Sequence, residues 1–178
     1  MSTRRARLGG ACLGIIALVT ACSRGPTEGN AMTIEDRTAK NEAAIRELVD
    51  GLVRAIRAKD IDGVMASYAA DLVAFDTVPP LQFVGASAYE KPWQDVFERY
   101  QTLDYEVRDL SITAGDDVAF SHSLNRIRGT MTDGQNTDLW LRSTACYRKI
   151  GGRWRIVHLQ ASVPVNLATG QAALDLKP

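Results

Sequence analysis

Residues 72–85 read L-V-A-F-D-T-V-P-P-L-Q-F-V-G, and Asp76 is the only ionisable side chain among them. A carboxylate in apolar surroundings loses its hydration at a cost unless something pairs with it. Two readings are open. Before Thr77-Val78-Pro79-Pro80, an aspartate can be an Asx-type turn residue pointing at water. In a pocket, it can take a proton from a bound molecule and return it, provided it is shielded from bulk solvent.

Candidate partners lie further along. Alternation over 118–130 puts Phe120, His122, Leu124 and Arg126 on one face of a strand. Over 136–149 it puts Asp138, Trp140, Arg142, Thr144 and Cys146 on one face. In a shared hollow, His122 would be an acid–base partner of Asp76. Arg142 would anchor an anion or carbonyl, Trp140 would form an apolar wall, and Arg126 and Trp93 would add ligand contacts. Each also has a structural reading. His122 can be a histidine satisfied by backbone hydrogen bonds, the arginines can be solvated strand charges near sheet edges, and Trp93 can be core. Two histidines and one unpaired cysteine at no ligand spacing predict no metal site, and no cofactor is expected.

The elements that must position these residues can be read from periodicity. Ile45, Leu48, Val49, Leu52, Val53 and Ile56 recur at three- and four-residue spacing, predicting one amphipathic helix. Asp60 suits the cap of a shorter helix carrying Ile61, Val64, Met65 and Tyr68. A short strand, a Pro-Pro turn and a second short strand ending at Gly85 follow. Ser87-Ala88-Tyr89-Glu90 matches a capping box for a third helix with Trp93, Val96, Phe97 and Tyr100, whose regular part Pro92 delays. Four strands are predicted at 104–113, 118–130, 136–149 and 153–163, separated by Gly- and Asp-containing turns. The fold class is therefore α+β: three N-terminal helices packed on a strongly curved, mostly antiparallel sheet, with a pocket between them.

At 178 residues, with 46% hydrophobic and 24% charged residues and a formal charge of zero, one globular domain is expected. No basic block or aromatic–basic interleaving points to nucleic acid, so that partner class is set aside. The chain begins with three arginines and no acid, followed by a short apolar run ending in small residues, the order of a secretory signal. Its end, V-T-A-C at 19–22, resembles the bacterial lipoprotein lipobox. That resemblance implies cleavage before Cys22, lipid attachment there, and an extracytoplasmic place in the bacterial cell envelope. The expected organisation is a signal peptide at 1–21, a flexible tether at 22–38, the domain at 39–165 and a loose tail at 166–178. Without residues 1–21 and their three arginines, 18 basic residues face 21 acidic ones, so attachment to a membrane would rest on the lipid and not on charge. Cys146 then has no disulfide partner and reads as a small apolar filler.

The order of elements resembles the cone-shaped family of nuclear transport factor 2, ketosteroid isomerase and SnoaL-like proteins over roughly residues 40–165. The pieces that carry the resemblance are K-D-I-D-G-V-M-A-S-Y-A-A-D-L-V-A-F-D at 59–76 and G-G-R-W-R-I-V-H at 151–158. Further likeness to SnoaL-like proteins lies at 119–126, 132–134 and 138–142. The resemblance implies that Asp76 occupies the general-base position. It also implies a tyrosine and a second acid as oxyanion donors, but those positions fall at Leu52 and near Ser143 or Thr144. Comparison with the calmodulin-dependent kinase association domain turns the strand inward near Thr144 and places His122 at a pocket position. The isomerase resemblance points Val157, Leu159, Ala161 and Val163 inward and leaves His158 and Gln160 on an outer sheet face, where relatives dimerise. The expected partners are a small, fairly apolar ligand and a second copy of the chain. The expected function is acid–base chemistry of the isomerase, dehydratase or hydrolase type. The alternative is a non-catalytic binding or assembly module.

Overall fold

The structure is a computed structural model that describes residues 32–178. The expected signal peptide, Cys22 and most of the expected tether lie outside the described residues. The first helix, α1 (Ile34–Ala58), starts earlier than its apolar periodicity suggests. Thr33 caps it: its hydroxyl accepts from the Asp36 N–H while the Asp36 side chain accepts from the Thr33 N–H. Such a reciprocal cap satisfies two orphan donors, so residues 34–38 are helical and not tether. At the other end Lys59 takes a left-handed conformation that closes the helix, and Asp60 caps α2 (Ile61–Met65) as expected.

The chain continues through β1 (Tyr68–Phe75), β2 (Phe83–Val84) and α3 (Ala86–Arg99). The expected capping box at Ser87 does not form. Gly85 occupies the N-cap with φ +88° and no side-chain hydrogen bond, and α3 runs straight through Pro92. Four long strands follow: β3 (Tyr100–Ala114), β4 (Val118–Met131), β5 (Asn136–Ile150) and β6 (Arg153–Ser162). The six strands form one sheet in the order β2-β1-β6-β5-β4-β3, antiparallel except where β1 runs parallel to β6. A small hairpin of β7 (Val165–Asn166) and β8 (Gln171–Ala172) occupies the expected loose tail, and Lys177 reaches back to Asp138.

Four register shifts interrupt three of the pairings, between Tyr68 and Val73, between Arg108 and Ser111, between Cys146 and Tyr147, and, again in β3–β4, between Tyr100 and Thr102. An unpaired extra residue bends and twists its strand. At the second shift Asp109 has φ +54°. Near the start of β3, Gly129 of β4 lets the backbones close in: a Cβ there would meet the Thr102 carbonyl oxygen at 2.0 Å.

The core lies between the helices and one sheet face. Ile45, Ile56, Val64, Leu72 and Ile156 are fully buried and join Tyr68, Phe83, Tyr89, Tyr147 and Trp154 in one cluster. Burying each of these aliphatic side chains is worth about 1.5–3 kcal/mol. A polar tie fixes the start of α1 to the sheet. Asn41 Nδ2 donates to the Gly115 carbonyl at 2.7 Å, and Lys149 Nζ donates to Asn41 Oδ1 at 2.7 Å.

Candidate functional site

Between α1, α3 and the inner sheet face lies a cavity of about 620 Å³. Odd-numbered residues of two neighbouring strands reach it: Ser121, Ser123, Asn125 and Ile127 from β4, and Leu139, Leu141, Ser143, Ala145 and Tyr147 from β5. Strand alternation then assigns the even-numbered residues to the opposite face.

Asp76 is among the lining residues, at the end of β1. Its carboxylate is half-buried and held on both oxygens. Oδ1 accepts from the Thr77 N–H at 2.6 Å and from the Thr77 hydroxyl at 3.2 Å. Oδ2 accepts from the Tyr89 hydroxyl. The Thr77 contacts are those of the turn reading, yet the carboxylate still faces the cavity. Tyr89, only 2% exposed, is the hub of an aromatic wall. Its ring meets Tyr68 at 5.4 Å, Phe83 at 5.4 Å and Trp93 at 6.4 Å between centroids. Trp93 in turn meets Phe97 and Tyr105. The Trp93 indole N–H is buried without a hydrogen-bond partner.

Two polar pairs lie on the sheet side. Asn125 Nδ2 donates to the Tyr105 hydroxyl at 2.8 Å, and Ser123 Oγ donates to Asn125 Oδ1 at 2.8 Å. Ser121 Oγ and the Tyr147 hydroxyl form a hydrogen bond at 2.8 Å in which either can donate. Burial raises the Tyr68 and Tyr105 phenols far above the ordinary tyrosine value of 10.0, with the Asp76 charge adding to the effect in each. Tyr89 is raised by burial first, then by Tyr68 and Asp76. Tyr147 is raised by burial. All four are therefore neutral hydrogen-bonding groups at physiological pH. Two other charged residues line the cavity, Asp95, which is paired with Lys91, and the exposed Arg99.

The structure does not bring His122 to Asp76. His122 is exposed, registered between Ser111 and Thr144 on the face away from the cavity. Arg126, Trp140 and Arg142 stand on that same outer face. Arg126 forms a two-pronged bond to Asp138 at 2.7 and 2.8 Å and lies over Trp140 at 5.6 Å, with Arg108 at 5.9 Å from the same ring. That bond holds the Asp138 carboxyl well below the usual carboxylate range, with Lys177 adding to the effect. Arg142 is exposed. These side chains share a face, as alternation predicts, but it is the face opposite the one that Asp76 lines, so the expected hollow joining them to Asp76 does not form. The inward placing follows the likeness to the kinase association domain, whereas here the cavity face of β4 carries Ser121, Ser123 and Asn125 and the opposite face carries Phe120 and Leu124. Trp93 does line the cavity, as do Leu52 and Ser143. On β6, Leu159 and Ala161 reach the cavity, and His158 turns away, its Nδ1 2.9 Å from the Val73 carbonyl oxygen and its ring against Phe75 at 4.9 Å.

Sequence reasoning missed Tyr89, Tyr105, Tyr147 and Asn125 as lining residues. The signal for one of them was present: Ser121, Ser123 and Asn125 at every second position place a polar stripe inside a long strand. Among the described residues, no group of three or more His, Cys, Asp or Glu could hold a metal ion.

The SnoaL-like domain family model matches residues 45–166. No curated protein matches the chain. Among solved structures, an NTF2-like protein of unknown function from Pseudomonas putida is 36% identical, with 79% of this chain and 99% of that chain covered and a TM-score of 0.73. A protein of unknown function from Mycobacterium tuberculosis has a TM-score of 0.70 at 17% identity, covering 83% of this chain and 86% of that one. A ketosteroid isomerase-like protein from Erwinia carotovora atroseptica has a TM-score of 0.58 at 24% identity, covering 67% and 93%. The likeness to the latter two concerns the fold alone.

Proposed function

We propose a function for this chain from one premise: it belongs to the SnoaL-like domain family and has the NTF2-like α+β fold. The cavity binds a small, neutral, largely apolar molecule, and Asp76 moves a proton on it. The observation that carries this reading is the Asp76 carboxylate, facing an aromatic and aliphatic cavity and fixed by Tyr89 and Thr77. An ionised carboxylate has about four acceptor positions. The Thr77 N–H, the Thr77 hydroxyl and the Tyr89 hydroxyl occupy three, which leaves one on Oδ2 for a substrate proton. Breaking a C–H bond beside a carbonyl would put that proton on Asp76 and the electron pair on the enolate. Return of the proton to another carbon completes an isomerisation, and its transfer to a departing β-hydroxyl, which leaves as water while the enolate pair forms the C=C bond, completes a dehydration. Hydrolysis through an activated water is the third possibility for the same acid.

The test is deuterium exchange at the α-carbon of 2-tetralone, followed by NMR in D₂O with purified protein. The protein should accelerate exchange over buffer, and Asp76→Asn should lower the accelerated rate roughly 10²–10⁴-fold. Binding without any acceleration would favour a second reading, a non-catalytic binding module. A specific observation supports that rival. Leu52 and Ser143, at the positions where the isomerase likeness calls for a phenol and an acid, both line the cavity and supply neither.

The envelope address is part of the same proposal. V-T-A-C supports lipid attachment at Cys22, and radiolabelled palmitate incorporation lost in Cys22→Ser would test it. Pairing of two copies through the outer sheet face is supported by the exposed Phe75, Val118 and Phe120 there. Sedimentation of the wild type against Phe120→Glu would test that association.

A further inference from the structure

One run of hydrogen bonds on the cavity wall has a free end. Ser123 Oγ donates to Asn125 Oδ1, which takes up the amide oxygen. The amide nitrogen is then the group that faces Tyr105, and it donates to the phenol oxygen at 2.8 Å. Because that oxygen is the acceptor in the bond, the Tyr105 O–H proton is not consumed by it. All three side chains line the cavity, and Asn125 and Tyr105 are diagonal neighbours on one sheet face, with Asn125 opposite Val107 and Tyr105 opposite Ile127. We propose that the Tyr105 O–H is the donor that recognises the carbonyl oxygen of a neutral ketone bound in this cavity. The inference rests on the cavity being a small-molecule site.

The direction of the relay matters. Each donated bond polarises the next, so the last phenol in a Ser→Asn→Tyr series is a better donor than a solitary one. Burial keeps that phenol protonated, and hence a donor, across the neutral range. Charge narrows the ligand class further. A carboxylate ligand would add to the negative charge of Asp76 and Asp95 on the cavity wall, against the exposed Arg99, whereas a ketone brings an acceptor and no charge. Donors and acceptors are therefore divided within the wall. Asp76 offers an acceptor position and Tyr105 offers a donor, so the preferred molecule has an acceptor oxygen and an acidic C–H or O–H.

The experiment compares 2-tetralone with tetralin, the hydrocarbon of the same ring system, by calorimetric titration of wild type, Tyr105→Phe and Asn125→Leu. Tyr105→Phe should lower the ketone-to-hydrocarbon affinity ratio roughly three- to tenfold and leave tetralin affinity unchanged. Asn125→Leu should give a smaller drop. Infrared spectra supply a second readout that needs no variant. The C=O stretch of bound 2-tetralone should lie below its value in an apolar solvent in the wild type and return towards that value in Tyr105→Phe. An unshifted stretch in the wild type overturns the inference, as would a relay running from Tyr105 to Asn125, which gives that result. Binding of both probes with an unchanged ratio in Tyr105→Phe also overturns it while the cavity remains a binding site. If neither probe binds the wild type, the binding reading itself fails and this inference fails with it.

Discussion

The Tyr89 hydroxyl donates to Asp76 Oδ2, tying the first turn of the third helix to the end of the first strand across thirteen positions of sequence. The bond does more than satisfy a buried phenol. Together with the Thr77 N–H it fixes the plane of the carboxylate, so its remaining acceptor position has one direction. The same tyrosine touches Tyr68, Phe83 and Trp93, so the acid is oriented by a residue that is itself held by the core.

Tyr89→Phe should keep those ring contacts and remove only the donor. A hydrogen bond to a charged group is worth about 1.5–3 kcal/mol. Water can partly replace it at a half-buried carboxylate, so the expected loss is about 1 kcal/mol. Urea unfolding should show a lower midpoint with an unchanged slope. An unchanged midpoint would mean that the hydroxyl contributes nothing to the fold.

His122→Ala should leave the affinity for 2-tetralone within about twofold of wild type, as befits a surface change away from the site. The imidazole sits between Ser111 and Thr144 on the outer face, with the sheet between it and the cavity. A tenfold loss of affinity would place it in the ligand's surroundings after all.

Alkali should unfold the protein through its phenols. Tyr68, Tyr89, Tyr105 and Tyr147 have folded-state values raised above the ordinary 10.0 by burial. A raised value means the folded state holds the proton more tightly. Their contribution is therefore complete below pH 10 and is lost progressively as the pH climbs above it. Tyrosinate absorbance and far-ultraviolet circular dichroism should move together in that range. Ionisation of these four residues while the fold persists would contradict their burial.

Gly129→Ala should be among the most damaging single-methyl changes. The added Cβ would lie 2.0 Å from the Thr102 carbonyl oxygen, a backbone atom that cannot swing aside without opening the β3–β4 pairing. Overpacking of this kind costs about 1–3 kcal/mol or more. Thermal unfolding should show a drop of several degrees, and an unaltered midpoint would show that the pairing can slide.

The layout of the fold was legible because its signals are local. The Ile45–Ile56 periodicity, the Asp60 cap and the glycine turns each act over a few residues, and the long strands fall close to their expected bounds. Where competing local signals existed, the wrong one was chosen. Ser87 and Glu90 spell a cap, but Gly85 starts the helix through backbone geometry that a side-chain motif does not register. Thr33 and Asp36 spell one too, hidden in a segment with little periodicity. The site was harder because its logic runs against hydrophobic patterning. Asp76 stands out as an acid among apolar residues, whereas Ser121, Ser123 and Asn125 look like a solvent face until the cavity is known to lie there. Tyr89 becomes visible as a partner of Asp76 only once the third helix is packed against the first strand.

The alternation in β4 has a consequence for how this chain can change over time. Ser121, Ser123 and Asn125 answer to whatever fills the cavity, while Phe120, His122 and Leu124 answer to whatever meets the outer surface. Point substitutions can therefore revise ligand preference and external association separately, each on its own set of alternate codons. Loss or gain of a single residue in the strand would exchange the two sets at once, turning Phe120 and Leu124 towards the ligand and the polar stripe towards solvent. Drift by substitution is thus cheap here, and drift by insertion or deletion is nearly closed.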